Sequence, residues 1–176
     1  MNVEDIFYSL LIQKPLITEL KNSSDQTIFE SLDSLGIASN VNLVTVIEEL
    51  VYNAREHAKI NIKVYISKIF DSLYFAITDN GPGIHNTIPC NKNLSDLKGK
   101  SSAAIMRTSC EEGISGTGVV GRGVGLYLLS EQCSLVSGEI LIACNGYVLI
   151  QRQSIFMQKK LNSEIDGTII CFRFPI

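Results

Sequence analysis

The feature that most constrains this chain is a concentration of glycine in one short segment. Of its 13 glycines, six fall between Gly113 and Gly125, and the run Gly121-Arg122-Gly123-Val124-Gly125-Leu126 opens into a helical pattern that ends near Cys133. Glycine costs backbone entropy, so such a cluster indicates either a flexible loop or backbone amides that approach a ligand closely. Phosphate at a helix N-terminus would suit the second case. No Gly-x-x-x-x-Gly-Lys-Ser/Thr motif is present, which excludes a P-loop, and the polar residues before the run disfavour a Rossmann site.

The remaining periodicity predicts an α+β domain. A helix is expected from Asn40 or Asn42, either of which can cap it, to about Ala58. A second helix is expected after the glycine run. Strands are predicted in two hairpins and one final segment: Ile60–Ser67 with Leu73–Thr78 after an Asp71-Ser72 turn, Ile140–Ala143 with Tyr147–Ile150, and Thr168–Phe174. The expected fold is a two-layer α/β sandwich with helices on one face of a mixed, mostly antiparallel sheet.

Two segments stand apart from this pattern. Residues 85–120 are polar and rich in turn residues, with one short helix expected around Ser102–Cys110, and a loop of this length is usually functional or disordered. Residues 1–40 are expected to be an N-terminal extension or lead-in elements before a domain at 41–176.

A polar stripe marks the first predicted helix. Glu49, Asn53 and His57 recur every four residues and therefore share one face. A solvated stripe is the simplest interpretation, and a histidine near a helix C-terminus is commonly a cap or packing residue. The alternative is that Asn53 offers an amide oxygen to a hard divalent cation, with Glu49 placed to orient or deprotonate a hydroxyl.

A second polar motif, Asp79-Asn80-Gly81-Pro82-Gly83, follows a predicted strand. Such a turn is common in surface hairpins. Alternatively, Asp79 is a buried acceptor for an exocyclic amine such as that of adenine, and Gly81 and Gly83 let the backbone close over the ring.

Composition narrows the class of protein. The formal net charge is −3, which offers no electrostatic basis for binding nucleic acid. No apolar run is long enough to span a membrane, and no secretory signal is evident at the N-terminus. The five cysteines are odd in number and lack a Cys-x-x-Cys pair, so we expect free thiols in a cytoplasmic protein.

In their order along the chain, these motifs resemble the GHKL ATPase superfamily, whose nucleotide site is the Bergerat fold. The resemblance covers about residues 41–176 and includes Glu-x-x-x-Asn, Asp-x-Gly-x-Gly, a long polar loop, Gly-x-Gly-x-Gly and a final Gly-Thr. Within the superfamily, the chain is similar in pattern to anti-sigma-factor serine kinases through the string Asn53-Ala54-Arg55-Glu56-His57-Ala58. It is also similar to histidine-kinase catalytic domains.

The resemblance implies roles for individual residues. Asn53 would ligate Mg²⁺, and Glu49 would be the catalytic base in preference to Glu48, which lacks the four-residue relation to Asn53. Residues 85–120 would form the ATP lid. The remaining nucleotide-binding residues implied are Asp79, Gly81, Gly83 and Thr168 around adenine, and Gly121, Gly123, Gly125 and Leu126 along the phosphates.

The resemblance also implies a function. We expect a stand-alone Mg·ATP-binding regulator that phosphorylates or grips a partner protein, such as a sigma factor, an antagonist or a phosphoacceptor protein. A non-catalytic ATP-gated binding module and a detached histidine-kinase catalytic subunit are the alternatives. Relatives often dimerise, but the chain has no distinctive dimer stripe, so a homodimer stays open.

Overall fold

The computed structural model describes residues 25–58, 62–116 and 123–176. Its α-helices are α1 Asp25–Ser34, α2 Val41–Ala58, α3 Ile84–Thr87, α4 Ser102–Thr108 and α5 Gly125–Leu135. Short 3-10 helices follow α3 at Ile88–Cys90 and Lys92–Leu97. The strands are β1 Lys63–Ile69, β2 Ser72–Asp79, β3 Glu139–Cys144, β4 Tyr147–Arg152, β5 Ile155–Lys160 and β6 Thr168–Pro175. The two predicted hairpins, both predicted long helices and the final strand are confirmed.

These strands form one sheet in the order β1-β2-β6-β3-β4-β5. Every pairing is antiparallel, so the described sheet is wholly antiparallel rather than mixed. The last strand, β6, lies between the two hairpins and joins them. The predicted α+β class is therefore confirmed.

Helix α2 forms where its cap and apolar face predict it. Asn40 caps the helix, because its Oδ1 accepts the Leu43 N–H at 3.2 Å. Ile47 and Leu50 are almost fully buried and belong to the main core, which also takes residues from α1, α5 and one face of the sheet. Phe172 stacks at 5.0 Å from Phe75 within that sheet face. The helices thus cover one face, as expected.

Two local predictions were wrong. Three strands were expected after α5, but β5 adds a fourth at the edge of the sheet. Most of its side chains are exposed, so it lacks the alternation by which a half-buried strand is recognised. The first hairpin turns at Phe70-Asp71 rather than at Asp71-Ser72, because Ile69 pairs with Ser72.

The segment after β2, described as far as residue 116, contains helices where a long loop was expected at 85–120. The helix expected around Ser102–Cys110 is present as α4, but α3 and the 3-10 helices were not predicted. Ile88, Leu97 and Ile105 form a small apolar cluster of their own. Helix α4 also contacts the sheet: Asn145 Nδ2 donates to Ser102 Oγ at 3.0 Å.

Two expectations from composition concern membranes and thiols. Within the described ranges, no helix combines the length and apolar character needed to cross a membrane. All five cysteines are free; Cys90 is exposed and the other four are buried.

Candidate nucleotide-binding site

Three polar side chains lie in a row across the ends of three neighbouring strands, β2, β6 and β3. The last residue of β2, Asp79, pairs with the first residue of β6, Thr168, and Thr168 pairs on its other side with Cys144 at the end of β3. Directly opposed residues in antiparallel strands project to the same face. The row therefore faces the helical layer, where Cys144 joins the main core.

A cleft opens between this row, α2, the start of α5 and the folded segment after β2. It encloses about 740 Å³ of space, a figure that includes the open solvent at its mouth. Predicted site residues that line it are Asn53, Asp79, Gly83, Gly123, Leu126 and Thr168.

Asp79 is held as an acceptor in this cleft. The Gly81 N–H donates to its Oδ1 at 2.8 Å, and the backbone N–H of Thr168 donates to the same carboxyl group. Burial raises the pKa of Asp79, and the two N–H donors and the charge of His57 partly oppose that rise. A carboxylate positioned in this way has lone pairs left for a ligand amine.

Two glycines allow the backbone to close around Asp79. Gly83 has φ +79°, and a Cβ there would lie 2.7 Å from Cys144 Sγ. Gly167 has the same φ, and its Cβ would overlap the carbonyl oxygen of Asp79. Only glycine therefore permits β6 to begin directly beside the end of β2. Gly81 does not line the cleft, and its contribution is the N–H given to Asp79.

Helix α5 begins against the Glu49–Asn53 turn of α2. A Cβ on Gly125 would lie 3.0 Å from Asn53 Nδ2 and 3.0 Å from Glu49 Cβ. Gly125 therefore packs on α2 behind the cleft rather than lining it. Glu48 points elsewhere, since it borders a separate groove with Phe29 of α1. The structure thus places Glu49, and not Glu48, beside Asn53.

The glycine run also contacts the folded segment after β2. Gly123 has φ +84°, and a Cβ there would overlap the carbonyl oxygen of Ile114. Gly123 and Leu126 both line the cleft. Gly121 lies outside the described residues.

Several cleft residues were not predicted as site residues. They are Leu50, Ala54 and His57 on α2, Ile77 and Ile170 on the sheet, and Ile84, Thr87, Ile88, Ser109, Ile114, Ser115 and Gly116 in the segment after β2. Gly116 gave one usable signal, because it belongs to the glycine cluster and a Cβ there would lie 2.8 Å from the Thr87 carbonyl oxygen. The apolar members carry no local pattern that separates a cleft wall from a core.

The donor set fits ATP with Mg²⁺. No group of three or more His, Cys, Asp or Glu side chains suited to a metal occurs among the described residues. Mg²⁺ is commonly bound by one or two protein oxygens together with substrate phosphates, which is what the Asn53 amide could provide. Asp79 is an acceptor at the opposite wall, and the glycines permit close backbone approach.

Fold and cleft together define an α+β nucleotide-binding domain. Residues 38–176 match the family model described as histidine kinase-, DNA gyrase B- and HSP90-like ATPase. The chain therefore belongs to this family, the GHKL ATPases, whose shared domain binds ATP.

Other comparisons are less informative. No curated protein matches the chain. Among solved structures it is similar to the topoisomerase IV ATP-binding domain of Francisella tularensis in complex with a small-molecule inhibitor, at 16% sequence identity and a TM-score of 0.37. That match covers 74% of this chain and 36% of the other, so the chain spans just over a third of the length of that structure.

Proposed function

We propose that this chain binds Mg·ATP in the cleft and uses it to phosphorylate a partner protein. The observation that supports this most directly is the shared cleft of Asp79 and Asn53, with Glu49 beside Asn53 at the α2–α5 contact. One wall offers an acceptor for a purine amine. The other offers Asn53 as a metal ligand, and the candidate catalytic base Glu49 lies one helical turn away on α2, outside the residues that line the cleft.

The adenine base of ATP would lie between Asp79, Thr168 and Gly83. Thr168 is buried beside Asp79, and its position at the start of β6 brings it to the same end of the cleft. Asp79 would accept from the exocyclic amine of adenine, a contact that guanine, with a carbonyl at the same position, could not reproduce. The cleft thereby selects adenine.

The phosphates would lie toward the glycine run and the first turn of α5. Gly121, Gly123 and Leu126 are the proposed contacts, through backbone N–H groups at the helix N-terminus, and Gly125 allows α5 to begin against Asn53 and Glu49. Mg²⁺, when bound, neutralises charge on the phosphates. Asn53 would hold it through the amide oxygen, and Glu49 would orient the partner's hydroxyl and accept its proton.

The partner is proposed from the resemblance to anti-sigma-factor serine kinases. The Asn53–Ala58 segment shared with that group lies on α2, and Asn53 and His57 of this segment line the cleft. A cytoplasmic sigma factor, an antagonist protein or another phosphoacceptor is the kind of partner we propose.

A second function is a nucleotide-gated binding module without phosphoryl transfer. The segment after β2 favours it, because this segment has its own apolar cluster and supplies Ser109, Ile114 and Ser115 to the cleft wall. A nucleotide in the cleft would contact this lid. The position of the lid would then expose or cover a surface that binds the partner.

Transfer of label from γ-labelled ATP distinguishes the two functions. The chain is incubated with each protein encoded next to it, as wild type and as the variants Glu49→Gln and Glu48→Gln. Phosphoryl transfer predicts a labelled partner, loss of label in Glu49→Gln with ATP binding retained, and full labelling in Glu48→Gln, whose side chain borders the α1–α2 groove. Equal labelling by both variants would refute the role of Glu49. Binding of ATP without label on any partner would favour the gated module.

A further inference from the structure

A thiol–imidazole pair lies directly beneath the floor of the cleft, and the proposed function does not use it. Cys144 Sγ lies 3.0 Å from Nδ1 of His85, the second residue of α3. Cys144 is fully buried at the end of β3, and it occupies the same cross-strand row as Asp79 and Thr168. The pair therefore joins the sheet to the first helix of the lid.

Gly83 separates this pair from the cleft. It lines the cleft itself, and a Cβ on it would lie 2.7 Å from Cys144 Sγ and 3.0 Å from His85 Nδ1. Both side chains thus contact Gly83 from behind. The backbone of Ile84 and His85 and the side chain of Thr168 also lie near the sulfur, where they lower the pKa of the thiol. The Cys144 sulfur atom therefore lies where the end of β3, the start of β6 and helix α3 meet around Asp79.

The pair is a neutral hydrogen bond at neutral pH. Burial raises the pKa of the Cys144 thiol, and Asp79 adds to that rise. Burial lowers the pKa of His85, against the opposing charge of Glu164. The thiol and the imidazole therefore share one hydrogen bond, and the imidazole tautomer decides which of them donates.

We propose that Cys144 and His85 are positioning residues that hold Gly83 and the start of the lid in place, and so set the affinity of the cleft for the adenine base rather than for the phosphates. This inference rests on the proposed function, because it assigns the base to the Asp79 end. Truncating Cys144 would remove the hydrogen-bond partner of Nδ1 and leave space behind Gly83, so Gly83 could move away from the adenine base.

Calorimetric titration with adenosine, with ATP and with Mg·ATP tests this role. We expect Cys144→Ala to weaken binding of all three about tenfold, in line with the loss of one buried hydrogen bond. The ratio of ATP affinities with and without Mg²⁺ should stay at the wild-type value, which general damage to the cleft would not preserve. Cys144→Ser retains a group that can donate or accept the hydrogen bond and should recover most of the lost affinity.

Two further variants make the test specific. Cys171→Ala removes an equally buried thiol from the opposite face of the sheet and should leave all affinities unchanged. His85→Ala should match Cys144→Ala, and the double variant should lose no more than either single one, because the two side chains act as a unit.

The outcomes separate this inference from the proposed function. If wild-type protein binds ATP and Cys144→Ala binds it equally well, or if Cys144→Ala changes the Mg²⁺ ratio, the positioning role is refuted. An additive loss in the double variant would also refute it. If wild-type protein binds none of the three ligands, the proposed function fails instead.

Discussion

Replacing Asp79 by asparagine is the perturbation whose effect follows most directly from the geometry of the cleft. Asp79 accepts N–H groups from Gly81 and Thr168 and lines the cleft with the rest of its carboxylate. Asparagine has the same shape but presents an NH₂ group in place of one oxygen. A donor then faces the adenine amine or one of the two backbone donors.

The expected loss can be estimated from the hydrogen bonds involved. A hydrogen bond to a charged group contributes about 1.5–3 kcal/mol, and a mismatched buried donor adds a desolvation penalty. We therefore expect ATP affinity to fall by about 2–3 kcal/mol, which corresponds to roughly 30- to 150-fold. Inosine triphosphate, whose base has a carbonyl in place of the amine, should lose much less, so the preference for adenine should narrow.

The free energy of unfolding of Asp79→Asn should be equal to or higher than that of wild type, although its affinity for ATP is lower. Because burial raises the pKa of Asp79 above 3.8, ionising it in the folded state costs free energy at neutral pH. That cost disappears as the pH falls through the folded pKa toward 3.8. Asp79→Asn should thus be at least as stable as wild type at pH 7, and any advantage should shrink in acid.

Calorimetry with ATP and inosine triphosphate, together with thermal unfolding at pH 7 and pH 4, measures both effects. Asp71→Asn is the matched control, because Asp71 is exposed in the β1–β2 turn, at the opposite end of β2 from Asp79. Unchanged ATP affinity in Asp79→Asn, or an equal loss in Asp71→Asn, would refute the assignment of Asp79.

Three further predictions concern the proposed metal ligand, two glycines and the cysteines. Asn53→Ala should weaken ATP binding about tenfold in Mg²⁺ and much less without it, by calorimetry; equal losses would remove the metal role. Gly99→Ala should cost about 1 kcal/mol for its left-handed φ alone, whereas Gly123→Ala also collides with the Ile114 carbonyl and should lower the melting temperature further and impair ATP binding. Iodoacetamide should label Cys90 rapidly in native protein, and rapid labelling of the buried thiols, seen by mass spectrometry, would contradict the fold.

The low reactivity expected of those buried thiols has a physical cause. Burial raises the pKa of Cys110, Cys133 and Cys171 to about 12, so almost none of each is present as the reactive thiolate at neutral pH. Cys90 lies exposed at the end of a 3-10 helix.

Much of the fold was predictable because it depends on local patterns. Helix α2 has both a capping asparagine and an apolar face, and the second hairpin has an Asn145-Gly146 turn whose two residues adopt positive φ. Strand β5 was missed because an exposed edge strand buries too little to alternate. In the segment after β2 only the helix Ser102–Thr108 was predicted, because the apolar cluster of Ile88, Leu97 and Ile105 forms only after folding.

The candidate site divides in the same way. Motif spacing selected Asn53 and Asp79, which the structure brings into one cleft. The pairing of Asp79 with Thr168 depends on the register of β2 and β6, which no local pattern encodes. The contact of His85 with Cys144 likewise requires the end of β3 to lie beside α3.

A crystal structure with Mg²⁺ and a non-hydrolysable ATP analogue tests the central claim most directly. We predict the adenine amine within about 3 Å of the Asp79 carboxylate and the metal bound through the Asn53 amide oxygen, with the triphosphate along the first turn of α5. An analogue bound elsewhere, or a base that makes no contact with Asp79, would contradict the account.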